Sequence, residues 1–290
     1  MDDNLPPAQT ATFALPGHSI LAIEGPDAAR FAHAQFMSDV ASLADGHWQW
    51  SGWLTPKGRV IALFALLRFD AGKLWLLLPD ADAAQLRESL QRFVFRSKVT
   101  LKAPGDAHAS GAFSGPSIAK GARFAETGDG VVELDVGAPA SPRTLRVGAA
   151  TAPMDPGATA RWTAFDIEHG LPRLPASQVG QWTPQQLSLD RLNAYSIKKG
   201  CYPGQEIVAR THFLGQAKRG LVLLDACGAL QPGDEVGDAT RAIGTAVSVA
   251  AGAGGSTALA VLPLERDKAT ELSAHAIALR ERPLLDGLAR

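Results

Sequence analysis

Lys198-Lys199-Gly200-Cys201-Tyr202-Pro203-Gly204-Gln205-Glu206, continuing as Ile207-Val208-Ala209-Arg210, is the densest run of chemistry in the sequence. It brings together two ammonium groups, a thiol, a phenol, an amide and a carboxylate, punctuated by two glycines and a proline. Gly200 and Gly204 permit a positive φ or a close backbone approach. Pro203 lacks an amide donor and biases Tyr202 toward an extended backbone. Gln205 to Phe213 reads as a short helix. A tight loop that feeds a helix N-terminus can hold an anion or activate a thiol. A surface loop with solvated lysines and a small apolar cysteine is the plainer reading of the same residues.

Downstream, from about Ala217, the chain becomes β runs divided by Gly and Pro: Gly220–Leu224, Ala242–Ala250, Thr257–Leu262 and Ala274–Arg282. That spacing predicts a small all-β barrel or sandwich, with Gly252–Gly255 as a flexible loop tip. Upstream, Thr183-Pro184-Gln185-Gln186 has a capping-box layout and predicts a short helix to about Leu192. Ala158 to His169 predicts a helix stopped by Gly170. Glu168 lies at its C-terminal end, where a carboxylate faces the negative end of the helix dipole. Such a local conflict can mark a functional site.

The N-terminal half mixes strands and helices. His18–Glu24, Trp48–Leu54, Arg59–Phe69 and Leu74–Leu78 read as strands, the last two as a hairpin. Further strands are expected at Ser97–Lys102 and at about 108–113, 131–136 and 143–149. A helix starts at Gly25-Pro26-Asp27, with Ala28, Phe31, Ala32, Gln35 and Phe36 at helical spacing. Gln35 and Asp39 are polar where that pattern leads inward, which makes them site candidates. Asp80–Val94 reads as an amphipathic helix. The class is α+β, and without a G-x-G-x-x-G or a P-loop no nucleotide fold is supported.

The chain has 290 residues, 46% hydrophobic and 20% charged, enough for two or three packed lobes. Its net charge of −1, with no acidic or basic run, does not point to nucleic acid as a partner. Cys201 and Cys227 make no disulfide framework, and they are too few for a four-cysteine cluster within one chain. His18, His33, His47, His108, His169, His212 and His275 include no pair at ligand spacing, so no metal ligand is expected. Residues 1–12 read as a frayed leader, with an acidic, proline-bearing start unlike a signal or transit peptide. No apolar run reaches the roughly 18 residues of a membrane span. A reducing cytoplasm is the expected setting, without a membrane partner.

The string KGCYPGQE, followed by IVAR, resembles the signature K-G-C-Y-x-G-Q-E of the YgfZ family, folate-binding relatives of the aminomethyltransferase (T-protein) of the glycine cleavage system. The likeness extends to Phe31-Ala32-His33-Ala34-Gln35-Phe36-Met37-Ser38-Asp39-Val40, to Pro56-Lys57-Gly58-Arg59 and to Phe95-Arg96-Ser97-Lys98-Val99. It continues through Ile167-Glu168-His169-Gly170-Leu171-Pro172 and Thr183-Pro184-Gln185 with Leu187-Ser188-Leu189, covering most of residues 15–225. Ser188 stands where the family usually has Asn, and His169 where it often has Ala.

The resemblance implies a three-lobed, T-protein-like ring, with two α+β lobes and a C-terminal small β-barrel. Residues 13–47 with 150–215 would form a discontinuous first, folate-binding lobe. Residues 48–149 would form the second lobe and 216–290 the barrel. It implies tetrahydrofolate or a one-carbon derivative as ligand, with Glu168 accepting from the 2-amino edge of the pterin, which a bidentate carboxylate suits. Gln35, Lys198, Tyr202, Gln205, Glu206 and Arg210 complete the expected binding set. Cys201 would be a reactive thiol activated by Lys199, and iron–sulfur enzymes or their assembly proteins would be partners.

The T-protein carries acidic residues after its K-G-G turn, one of them catalytic. Here Val60-Ile61-Ala62-Leu63-Phe64 follows Arg59, and no carboxylate occurs until Asp70. An aliphatic strand moves no proton. An accessory protein that maintains iron–sulfur enzymes is therefore the first reading. A one-carbon transferase and a scaffold with a vestigial folate pocket are the alternatives.

Overall fold

The computed structural model describes residues 11–214, 217–238, 240–252 and 254–290. The expected leader lies outside the described residues as far as residue 10. So do the junction at 215/216 and Ala253 in the expected loop tip.

In chain order the elements begin with β1 (Phe13–Ala14), β2 (Ser19–Glu24), α1 (Ala28–Gln35), β3 (His47–Leu54), β4 (Val60–Asp70) and β5 (Lys73–Leu78). Next come α2 (Ala83–Gln91), β6 (Thr100–Lys102), β7 (His108–Ala112), β8 (Ala125–Glu126), β9 (Val132–Asp135) and β10 (Thr144–Gly148). Then follow α3 (Pro156–Glu168), α4 (Gln205–Leu214), β11 (Arg219–Ala226), β12 (Glu235–Gly237), β13 (Ala242–Gly252), β14 (Gly255–Pro263), β15 (Leu272–Ala274) and β16 (Ile277–Arg282).

One antiparallel sheet has the order β3-β4-β5-β2-β6. Its two faces are both covered, which is why β4 reads as an unbroken apolar run. Phe64, Leu66, Leu76, Leu21 and Ile23 pack with α1 and α2 on one side. Trp50, Leu63, Ala65, Leu67 and Leu77 join the larger core on the other. The second sheet has the order β1-β7-β10-β9-β8. The third unit is a closed barrel, β11-β14-β13-β12-β15-β16, sealed by β11 pairing with β16. Closure gives each strand of the barrel a hydrogen-bonded neighbour on both sides.

Three expectations change. The division of the chain at 47/48 runs through a sheet, because β2 pairs with β5 from Ser19–Leu78 to Glu24–Lys73. β1 meanwhile pairs with β7 in the other sheet. The N-terminal strands thus fill hydrogen-bonding positions in sheets built from residues 47–148. The expected helix from Thr183 to Leu192 is only a turn followed by a 3-10 helix at Leu189–Leu192. Its capping box does form, Thr183 N–H donating to Gln186 Oε1 and Gln186 N–H to Thr183 Oγ1. Ser188, at φ +47°, then breaks the helical path. The run Ala274–Arg282 is not one strand, since His275 and Ala276 both take positive φ in a two-residue turn between β15 and β16. β12 was not anticipated.

Residues after β16 cross from the barrel to both sheets. Leu285 N–H donates to Glu168 O at 2.9 Å, and Trp50 Nε1–H donates to Leu288 O at 2.7 Å. Leu288 is buried, and the Arg290 guanidinium donates to the carbonyls of Asp135 and Gly137.

Candidate functional site

The signature loop is fixed by its own side chains. Lys199 is buried, and its Nζ donates to the carbonyls of His33, Phe36 (2.5 Å) and Ser38 (3.0 Å) at the C-terminal end of α1. A cation suits that end of a helix dipole. Burial nevertheless pushes the Lys199 ammonium down to about 8, with Asp39 opposing the shift. The ammonium also sits 4.8 Å from the centre of the Tyr202 ring. Tyr202 is buried, its hydroxyl donates to Ser196 O at 3.2 Å, and burial raises its pKa. Gln205 closes the loop by donating Nε2–H to Lys199 O at 3.1 Å.

Two glycines lock the loop onto the Thr55–Arg59 turn. Gly204 has φ +79° and Gly58 φ +68°. A Cβ on Gly204 would stand 2.6 Å from Gly58 Cα and from Thr55 O, and one on Gly58 would stand 2.9 Å from Ile207 Cβ. The positive φ and the contact each require glycine.

This frame presents Cys201 to solvent. Lys198, Glu206 and Arg210 are exposed as well. Of the expected site residues, Lys199, Tyr202 and Gln205 therefore build the loop. Lys199 directs its donors at backbone carbonyls instead of presenting a surface charge with Cys201. Gln35 lies at the same end of α1, its Oε1 buried without a partner among the described residues, as is the Trp53 indole N–H. Asp39 instead caps a turn, accepting from Ala41 and Ser42 N–H.

Glu168 is elsewhere, at the C-terminus of α3 where this chain meets the barrel. The helix is capped at its start by Asp155, which accepts from Ala158 N–H, and is stopped by Gly170 at φ +70°. The Glu168 side chain is half-buried. Its only partner among the described residues is Arg282 Nη1 at 3.6 Å, too long for a hydrogen bond. Arg282 also contacts Asp225 at 3.2 Å. Two grooves share Arg282. One of about 540 Å³ runs past Asp225, Thr257 and Arg280. The other, of about 300 Å³, runs past Arg191, Leu223 and Leu284.

A buried ion-pair network went unanticipated. Arg143 pairs with Asp166 at 2.7 Å, and Arg173 joins Asp166 (3.2 Å) to Asp80 (2.7 Å). The charged residues carry no periodic pattern, so no sequence signal singled them out. Arg143 and Asp166, with His18, Trp50 and Trp162, line a cavity of only about 30 Å³. Burial, reinforced by Arg173 and Arg143, holds His18 well below the usual histidine range. That volume admits a water or two and no pterin, so this network belongs to the core.

No family model matches the chain. The tRNA-modifying protein YgfZ of Cronobacter sakazakii is 31% identical over 255 residues, spanning 79% of this chain and 77% of that protein. The protein of the same name from Vibrio vulnificus strain YJ016 is 31% identical over 277 residues, spanning 87% of this chain and 84% of its own length. The glycine cleavage system aminomethyltransferase T of Bartonella henselae superposes with a TM-score of 0.74 at 17% identity, over 96% of this chain and 86% of that one. This last likeness establishes the T-protein-like fold. The identity to the curated relatives, sustained over most of both chains, establishes more: the chain belongs to the YgfZ family.

Proposed function

We propose that the chain binds tetrahydrofolate, or a one-carbon derivative of it, beside Glu168, and that it presents Cys201 as a working thiol in support of iron–sulfur enzymes. The observation that carries the ligand reading is the half-exposed Glu168 carboxylate, which lacks a hydrogen-bonded partner among the described residues and whose neighbour Arg282, 3.6 Å away, lines two grooves large enough for a heterocycle. A carboxylate there can accept from two adjacent donors of a 2-aminopterin. Arg191, Arg280 and Arg282 stand around the same grooves and fit an anionic glutamyl tail. Lys198, the lysine of the expected binding set, is exposed on the signature loop.

Support for the wider role comes from the relatives. Their name is tRNA-modifying protein, and the fold neighbour is an aminomethyltransferase. The iron–sulfur role rests on the signature loop, whose frame holds an exposed cysteine. Two free, exposed cysteines fit a reducing compartment such as the cytoplasm. No helix among the described residues is long and apolar enough to cross a membrane.

The test is calorimetric titration of the anaerobic protein with tetrahydrofolate and 5-formyltetrahydrofolate. Saturable binding that Glu168→Ala weakens at least tenfold is expected, as is normal folate binding by Cys201→Ser. In a deletion strain, Cys201→Ser should fail to restore iron–sulfur enzyme activity. Absence of saturable binding by both compounds refutes the ligand reading, and full rescue by Cys201→Ser refutes the thiol role.

A further inference from the structure

The net charge of −1 describes the whole chain, whereas nucleic acid meets a surface. Gln91-Arg92-Phe93-Val94-Phe95-Arg96-Ser97-Lys98 leaves the end of α2 with Phe95 85% exposed and Phe93 46% exposed. Arg92, Arg96 and Lys98 are exposed between and beside these rings, and Arg87 is exposed on α2. Between residues 87 and 98 four cations face one carboxylate, Glu88. None of the four makes an ion pair among the described residues. The Arg96 guanidinium lies 5.5 Å from the centre of the Phe95 ring.

We infer that residues 92–98 are a docking surface for single-stranded RNA, with Phe93 and Phe95 stacking on bases and Arg92, Arg96 and Lys98 meeting phosphates. Aromatic faces interleaved with cations are how proteins hold single strands and the unpaired loops of folded RNA. A protein partner is a poorer fit. Two rings set among Gln91, Arg92, Arg96 and Ser97 lack the continuous apolar centre of a stable interface. A lipid surface calls for an amphipathic helix with a broad apolar face, and 92–98 is not helical.

The position of the patch supports the same partner. Phe93 packs edge-on against Trp53, 5.8 Å between ring centres. Trp53 bridges to Phe36, and Phe36 O is one of the carbonyls that hold Lys199. The patch and the loop presenting Cys201 are thus joined by a chain of contacts through the C-terminal end of α1. The inference goes beyond the folate reading, since it uses no residue near Glu168.

Fluorescence anisotropy of the full chain with a labelled 12-nucleotide single-stranded RNA, and with an unmodified tRNA transcript, tests it. Phe95→Ala is expected to weaken binding of both about tenfold. Replacing Arg92 and Arg96 together by Ala should lower the slope of log K against log salt by about 1.4, two single-strand phosphates' worth. Both variants should keep the wild-type urea midpoint and folate titration. No saturable binding of either RNA, or binding that Phe95→Ala leaves unchanged, overturns the inference. So does sedimentation with anionic phosphatidylglycerol vesicles that depends on Phe95 while RNA does not bind. A wild-type chain that binds folate but no RNA refutes this inference alone, and one that binds RNA but no folate refutes the folate reading alone.

Discussion

Lys199→Met removes the ammonium that pins the signature loop. Three carbonyls, those of His33, Phe36 and Ser38, lose their donor. A buried acceptor left without a partner costs about 1–3 kcal/mol, so the gross loss is about 3–9 kcal/mol. Against it stands the cost of keeping the ammonium charged while buried. With its pKa near 8 instead of 10.5, that cost at pH 7 is about 3 kcal/mol, from 1.36 kcal/mol per unit. The net destabilisation at pH 7 should be about 3 kcal/mol. Its pH dependence is the sharper signature. Between pH 8 and 10.5 the unfolded chain holds the Lys199 proton more tightly than the folded one, so this group makes stability rise with pH. The gap between wild type and Lys199→Met should therefore widen by about 2 kcal/mol from pH 7 to 9.5. Urea unfolding at half-unit pH steps, with equal m-values for the two proteins, measures this directly. A gap that stays flat or narrows over that range refutes the claim that burial dominates the environment of Lys199.

Other perturbations follow from the same contacts. Gly204→Ala forces a Cβ against Gly58 Cα and Thr55 O at positive φ, and should cost about 2 kcal/mol or more in urea melts. Leu288→Ala empties a buried site on the segment that ties the barrel to Trp50, and should cost about 2–5 kcal/mol by thermal or urea unfolding. Burial of Glu133 works to raise its pKa, but hydrogen bonds from Ile118 N–H, Ser117 Oγ, Ala119 N–H and Arg146 outweigh it and hold it to about 2. Its contribution is present above about pH 4.5 and lost as pH falls through 2, so Glu133→Gln should flatten acid unfolding by about 3 kcal/mol over that window.

Period and punctuation made most strands legible. β4 was readable because a strand buried on both faces must be apolar throughout, and β11, β13 and β14 because Gly and Pro bounded them. β12 has only three residues, too short for a period to show. The helix expected at Thr183 carried a correct start signal but no stop signal, because Ser188 takes a left-handed conformation without being glycine. Sheet membership was hidden for a different reason. The pairing of Ser19–Glu24 with Lys73–Leu78 spans some fifty residues of sequence, and no local pattern specifies it. The candidate site divided along the same line. Glu168 and Cys201 were singled out as candidates through motif resemblance, whereas the Arg143–Asp166–Arg173 network is a property of the packed interior.

The signature itself changes meaning once its side chains are placed. Lys199, read as a partner for the thiol, spends its three protons on the end of α1. Tyr202 is buried and tied to Ser196, Gln205 returns to Lys199 O, and Gly204 interlocks with Gly58. Four of the eight residues of KGCYPGQE are thus consumed in holding one another, while Cys201 and Glu206 face outward. The frame fixes where Cys201 stands, with its thiol facing solvent. On the proposed reading of Cys201 as a working thiol, its exposure calls for a partner that docks instead of a reaction completed within a pocket.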